Sequence, residues 1–327
     1  MRFLKTNTIF LGVITILIVT VVSVIIANNF NTTSTTNINN SDSVKVEEFG
    51  AKGDGKSDDT KAIQNAINKT ANMNVSEVIL QDNKSYIISS PILIKEGVKF
   101  TLGYNTRLQI NGDFDAIELE KNASISGGII EIISSNFNSS VLSLDGKNQF
   151  YGIWETTEIH DLKLLNSSGE ITGTALSLFA SGPSHYISFI NFKNITISGF
   201  STGVKLQTKD PGNGDYSWIN GNRFENFTLE ECENFIVFDG GITVPNESSG
   251  NMFTNLQIQL SEKTNEVLNI DGSENKFDGV IWDVQTLAHS NPIIKLTPNT
   301  NHNTINFNIN SQLIQNEGKA NEFSLID

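Results

Sequence analysis

Short apolar-x-apolar triplets recur along the chain and form one column: Ile117 and Leu119, Leu142 and Leu144, Leu176 and Leu178, Val204 and Leu206, Ile236 and Phe238, Leu268 and Ile270, Ile294 and Leu296. Subtracting successive first members gives spacings of 25, 34, 28, 32, 32 and 26. A second column reads Phe-x-Asn: Phe192 with Asn194, Phe224 with Asn226, Phe253 with Asn255, and a variant, Phe277 with Gly279. A third holds Asn222, Asn251, Asn275 and Asn303, each two residues before an apolar position. Alternation with period two puts one side of each short strand inside, and columns that share a long period predict stacked coils. A β-sandwich would place strands every 8 to 12 residues or so without such columns. Asn at a recurring bend tolerates left-handed backbone angles and can pair with the Asn of the next coil; Gly279 in the Asn position meets the same angular demand.

Upstream, VKVEEFGAKGDGKSDDTKAIQNAIN, Val44 to Asn68, reads as a strand, a Gly/Asp turn and a helix. Asp58 or Asp59 is placed to cap the first turn, and Ala62, Ile63, Ala66 and Ile67 recur at helical spacing. A short helix with one apolar face suits the lid of a solenoid, whose open end would expose strand edges. This segment resembles the opening signature of the pectate-lyase-like superfamily, which includes pectate lyases, polygalacturonases and phage tailspikes. The resemblance implies an all-β fold, a single-stranded right-handed parallel β-helix with a short N-terminal capping helix. The chain departs from the family at Gln81 to Tyr86, QDNKSY, where a Pro/Gly turn is common. Asp54, Asp58 and Asp59 invite a metal-site reading, but turn-forming and capping carboxylates account for them.

Ahead of this domain, Thr8 to Ala27 is uncharged and predominantly apolar over the length that crosses a bilayer. Arg2 and Lys5 precede it, which predicts a cytoplasmic N-terminus at 1–7, a transmembrane anchor at 8–27, a polar linker at 28–43 and an extracytoplasmic β-helix domain at 44–327. The expected localisation is the cell membrane, single-pass, with the lipid bilayer as a partner; a cleaved signal peptide and a secreted domain is the alternative.

Composition supports many strands and turns: 38% of residues are hydrophobic, with 20 Phe and 25 Gly. A formal net charge of −14 argues against nucleic acid, whose phosphates require Lys and Arg. A polyanionic glycan is repelled unless a basic groove or a divalent cation such as Ca²⁺ intervenes, whereas a neutral sugar meets no such obstacle. The lone Cys232 has no disulfide partner within the chain and is expected in a buried rung.

In the triplet column the middle residues face outward: Glu118, Ser143, Ser177, Lys205, Val237, Asn269 and Lys295. The residues that follow enter a turn: Glu120, Asp145, Phe179, Gln207, Asp239, Asp271 and Thr297. The resemblance implies that this face and its flanking turns form a polysaccharide groove. Asp239 and Asp271 then occupy neighbouring rungs about 4.8 Å apart, a spacing at which carboxylates can divide acid and base roles or share Ca²⁺. Asp210 and Asp215 adjoin them from the Gln207–Gly221 loop, Tyr216 and Trp218 offer aromatic faces, and Lys205 and Asn269 offer polar contacts. The candidates are therefore Asp239, Asp271 and Asp210 for catalysis and Lys205, Asp215, Tyr216, Trp218 and Asn269 for substrate. The competing turn reading is that Asp239-Gly240 and Asp271-Gly272 are simple turn signals. The N-T-D, D-D, G-H-G and R-x-K patterns of polygalacturonase-type hydrolases are missing from the rungs, and neither Arg107 nor Arg223 is placed as a lyase base. The reading leans to a polysaccharide lyase or glycoside hydrolase; the alternative is a non-catalytic glycan-binding or envelope module.

Overall fold

The structure is a computed structural model describing residues 43–72, 76–240, 248–287 and 290–324. The apolar run 8–27 and its linker lie outside the described residues; among those described, no helix is long and apolar enough to cross a membrane. Every strand pair in the described residues is parallel and joins one coil to the next, so the fold is a parallel β-helix.

The triplet column is a nine-stranded sheet in the register the spacing predicts: Ile117 beside Leu142, Leu142 beside Leu176, then Val204, Ile236, Leu268 and Ile294. The seven triplet strands and the end strands Ile92–Ile94 and Ile314–Asn316 make up the nine. The members of each triplet are buried and the middle residues are half-exposed. A sixteen-stranded sheet forms two more sides of the coil. Its first file includes Ser124–Ser126 and Glu158–His160, and its second includes Ile129–Ile132 and Lys163–Asn166. The two files fuse in the eight-residue strands Asn191–Ser198, Arg223–Glu230 and Met252–Gln259. A third sheet of five short strands, Phe150–Tyr151, His185–Ser188, Ser217–Asn220, Ser248–Ser249 and Gly272–Ser273, has no apolar triplet to announce it.

Inside, Phe192, Phe224, Phe253 and Phe277 stack with centroid separations of 4.6, 4.1 and 5.2 Å. The two asparagine columns divide the duties that the sequence assigned to both. Asn194, Asn226 and Asn255 hold the left-handed bend (φ 55°, 60° and 56°), with Asn226 Nδ2 donating to Asn194 Oδ1 at 2.9 Å and Asn255 to Asn226 at 2.6 Å. Asn222, Asn251, Asn275 and Asn303 are buried and not left-handed. Each donates one amide hydrogen to the next Asn, at 3.0, 3.2, 3.1 and, to Asn321, 3.0 Å, and the other to a backbone carbonyl. Gly279 does not stand in for the bend Asn. It pairs with Leu256, because its coil is one residue shorter there, and a Cβ at Gly279 would lie 2.3 Å from the Leu256 carbonyl oxygen.

Helix α1, Thr60–Thr70, buries Ile63, Ala66 and Ile67 over the first coils. Asp58 caps it through the Thr60 N–H, while Asp59 accepts the N–H groups of Lys52 and Gly53 and so fastens the glycine turn to the helix start. Hydrogen bonds from Ser57 and Lys56 N–H bring Asp54 down to about 2. The acidic trio is thus spent on capping and turns. Cys232 is buried, and desolvation pushes its thiol up to about 12.

The buried ladder is expected to dominate stability. Asn251→Ala orphans amide and carbonyl groups on both neighbouring rungs and should cost about 3–5 kcal/mol. Asn255→Gly, which keeps the exposed bend accessible, should cost about 1 kcal/mol or less. Urea unfolding of the two variants checks the ranking; equal losses would show that the buried amides are not the stronger lock.

Candidate functional site

On the triplet sheet, Lys205 Nζ lies 3.3 Å from Asp239 Oδ2, and Gln207 Nε2 donates to the same oxygen at 2.6 Å. Asp271 turns the other way, accepting from Thr297 Oγ1 at 2.7 Å and Asn299 Nδ2 at 3.4 Å. The two carboxylates are thus drawn to opposite neighbours. Asn269 donates to Glu266 at 2.8 Å, and Glu266 pairs with Lys295 at 2.6 Å. Asp210 accepts the Gly212 N–H at 2.8 Å and shapes its own turn, while Asp215 and Tyr216 are exposed on the same loop. Trp218 has left that loop for the third sheet. There it stacks on Tyr186 (4.9 Å, 7°) and its Nε1 donates to Ser188 Oγ at 3.1 Å, so one of its ring faces is already covered.

That stack leads to a site the sequence reading passed over. Tyr186 meets Tyr151 edge-on at 6.3 Å, and beside them opens a cleft of about 440 Å³ lined by Tyr151, Trp154, Glu155, Lys121, Asn122 and Gln149. The segment Tyr151–Glu155 closes on itself: Trp154 N–H donates to the Tyr151 carbonyl at 2.9 Å, and Tyr151 N–H donates to Glu155 Oε1 at 2.7 Å. Gly152 is required, since a Cβ there would sit 2.2 Å from the Phe189 carbonyl oxygen. The turn leaves Trp154 85% exposed beside a half-buried carboxyl.

Burial raises the proton affinity of Glu155; hydrogen bonds from the Tyr151 and Asn122 backbones and the charge of Lys121 offset part of this, and the charge of Glu96 adds to it. Asn122 Nδ2 holds Glu96 Oε1 at 2.9 Å. Glu131 shows the opposite outcome. Burial would raise it too, but hydrogen bonds from Ser167, Gln109 and Arg107 outweigh that and keep it ionised to lower pH than usual. Glu155 is therefore a carboxyl suited to carry a proton at a sugar-sized cleft. The overlooked signal was Ile153 and Trp154, two large apolar residues in a loop off every rung column. Among the described residues no three His, Cys, Asp or Glu side chains converge to hold a metal.

A family model described as rhamnogalacturonase A/epimerase, pectate lyase-like, matches residues 43–262, two thirds of the chain. The chain belongs to this family. A probable glucan endo-1,3-β-glucosidase of Arthroderma benhamiae is 40% identical over 58 residues, covering 18% of this chain and 6% of that protein. Among solved structures, ORF18 of Geobacillus virus E2 is similar at a TM-score of 0.44 and 16% identity, covering 88% of this chain and 62% of that one. The Dettilon tailspike protein is similar at 0.48 and 14%, covering 86% and 59%. The chain thus spans less than two thirds of each of these relatives. The matched family region contains Glu155 together with Lys205, Asp210, Asp215, Tyr216, Trp218 and Asp239, and stops short of Asn269 and Asp271.

Because the fold holds Glu155 towards its neutral form, ionising it costs stability as pH rises from the ordinary glutamate range through its raised value. Glu155→Gln keeps an acceptor for Tyr151 N–H and removes that cost. Its melting temperature should exceed the parent's at about pH 7, and the gain should vanish near pH 4. A variant less stable than the parent at neutral pH would mean that the carboxylate form is the one the fold prefers.

Proposed function

We propose that this pectate-lyase-like chain binds a neutral polysaccharide in the Trp154–Glu155 cleft and hydrolyses it. The observation that carries the reading is the half-buried Glu155, its proton affinity raised by burial, beside the exposed ring of Trp154. In this reading a sugar ring stacks on Trp154, as pyranose faces do on aromatic side chains. The Glu155 O–H gives its proton to the glycosidic oxygen as the C–O bond breaks. Glycoside hydrolysis needs a second carboxylate, and Glu96, whose charge is felt at Glu155, is the candidate to activate the water or attack the sugar carbon. The raised proton affinity of Glu155 suits a proton donor to the leaving oxygen better than a base, and hydrolysis is accordingly favoured over elimination.

The triplet face is proposed as the flanking binding surface, with Lys205 and Asn269 toward neighbouring sugars and Asp215 and Tyr216 reaching from the adjoining loop, while the open face of Trp218 in the third sheet is proposed to meet sugar beside Tyr186. Asp239, Asp271 and Asp210 are proposed on the triplet face and its loop as polar contacts, because each already holds partners of its own. The acidic surface favours a neutral glycan, and β-1,3-glucan, named in the description of the short Arthroderma benhamiae match, is proposed as the first substrate to try. The uncharged run 8–27 behind Arg2 and Lys5 supports a further proposal, that the domain is displayed from a membrane; mass spectrometry finding a mature chain that starts near Asn28 would overturn it.

Reducing-end release from a panel of β-1,3-glucan, other neutral glycans and oligogalacturonate tests the activity. Glu155→Gln should lower turnover by roughly 10²–10⁴-fold while retaining binding, and Trp154→Ala should weaken binding about tenfold. Asp239→Asn with Asp271→Asn should leave turnover within about tenfold; its abolition would move the chemistry to the triplet face. Glycan retention with no turnover at all would make the protein a binding module.

A further inference from the structure

The bend between the two files of the long sheet carries the exposed ladder of left-handed residues, and that ladder is broken at one coil. Asn105 Nδ2 donates to Asn83 Oδ1 at 3.2 Å, and the series resumes with Asn194 Nδ2 on Asp161 Oδ1 at 2.8 Å. Each of these amides donates toward the N-terminal neighbour. In the intervening coil the bend is Gly127–Gly128 (φ +79° and +65°), which makes the turn without a side chain. Close packing enforces the glycines: a Cβ on Gly127 would lie 2.2 Å from the Leu102 carbonyl oxygen, and one on Gly128 2.5 Å from Leu102 Cβ. One rung of the ladder is therefore missing, and Asn105 and Asp161 face each other across two coil spacings, about 10 Å.

Three features shape this gap. The coil above bends through Gly103–Thr106, so Tyr104 overhangs the glycines with 80% of its surface exposed. Its backbone is pinned on both sides: its N–H donates to Asp82 Oδ1 at 2.8 Å and its carbonyl accepts the Asn83 N–H at 2.9 Å. The space beneath has a volume of about 580 Å³ and is walled by Tyr104, Asn105, Gly127, Gly128, Asp161 and Lys163. Finally, the rung that closes the gap is Asp161 where its neighbours in the ladder are Asn, so it brings acceptors and no amide donor. Asn194 and His160 already approach its two oxygens, with His160 Nδ1 at 2.8 Å, and these contacts keep the carboxyl ionised to lower pH than usual. Asn105 Oδ1 receives no donor from the missing rung, and Lys163 has no carboxylate within ion-pairing distance among the described residues.

We propose that this gap is a second, non-catalytic glycan-binding site that takes one pyranose of a neutral chain. The Tyr104 ring supplies the stacking face, one sugar hydroxyl donates to Asn105 Oδ1 in place of the absent amide, another donates to the Asp161 carboxylate, and Lys163 donates to a sugar oxygen. A bare cation is a poor occupant, because a single carboxylate beside an ammonium group supplies too few oxygen ligands. An acidic sugar would bring its charge against Asp161. The site stands at the far end of the strands Ser124–Ser126 and Glu158–His160 from the Trp154–Glu155 cleft, so one glycan laid along these three-residue strands would meet both. The proposal rests on the preceding reading only for the class of sugar used to probe it.

Isothermal titration of the full chain with neutral gluco-, galacto- and manno-oligosaccharides, with oligogalacturonate and Ca²⁺ as controls, tests it. With the cleft weakened by Trp154→Ala, binding of a neutral oligosaccharide at a one-to-one ratio should persist. Adding Tyr104→Ala should weaken it about tenfold or more, whereas Tyr104→Phe should leave it within about twofold. If Trp154→Ala removes all binding and Tyr104→Ala alone changes none, the gap is not a site while the cleft stands. If Tyr104→Ala removes it and Trp154→Ala does not, the gap stands and the cleft falls. Absence of any neutral-sugar binding, or binding of only Ca²⁺ or oligogalacturonate that is lost in Asp161→Ala or Lys163→Ala, would overturn the proposal.

Discussion

A parallel coil must return its backbone to within about 4.8 Å of the previous turn, since that is the reach of the hydrogen bonds between strands. Everything placed inside the coil is consequently placed on top of its own kind. The stacked Phe192, Phe224, Phe253 and Phe277 obey this demand, and so does the buried ladder from Asn222 to Asn321. An asparagine amide suits such a column because it offers donors and an acceptor at once, so each rung satisfies the next and no buried polar group is left over. A different polar residue at one position would leave two neighbours unmatched. The interior therefore repeats because any departure is penalised twice.

Outside the coil the penalty disappears, and the features with chemical potential lie where the repetition fails. Between Phe150 and Glu158 the chain leaves the rung pattern to make the turn that exposes Trp154 and half-buries Glu155. At Gly127–Gly128 a rung loses its side chain altogether. Both departures depend on glycine at points of close backbone approach, Gly152 against Phe189 and Gly127 against Leu102. The solenoid supplies a rigid frame, and local exceptions to its own rule make the concavities.

This division also explains what could be read from the residues alone. The seven triplets were legible in full register because apolar alternation and a long period are both imposed by the buried side of the coil. The Phe-x-Asn column was legible for three coils and misled at Gly279, where a one-residue deletion shifted the pairing without disturbing the local composition. The third sheet left almost no trace: two-residue strands such as Ser248–Ser249 have too little length for alternation to show. The Asp239 and Asp271 candidates were placed correctly on successive rungs, but adjacency does not say which way a carboxylate leans, and these two lean apart. Trp154 and Glu155 were missed because they belong to no column, and periodicity is silent about residues that do not repeat.

Glu131 and Glu155 show why burial alone could not have identified a site. Both lose water on folding, and in both that loss works against the charged form. Glu131 sits within the repeating sheet, where neighbouring strands offer Gln109 and Arg107 from one side and Ser167 follows the strand on the other, so its charge is replaced into a hydrogen-bonded setting. Glu155 sits in a break of the repeat. Two backbone N–H groups and the charge of Lys121 compensate it only in part, and Glu96 brings more negative charge nearby. A carboxyl within the pattern is thus held as a structural anion, and one outside it is left closer to neutral. Where the coil repeats, its neighbours compensate a buried charge in full, and where it stops repeating they compensate it less.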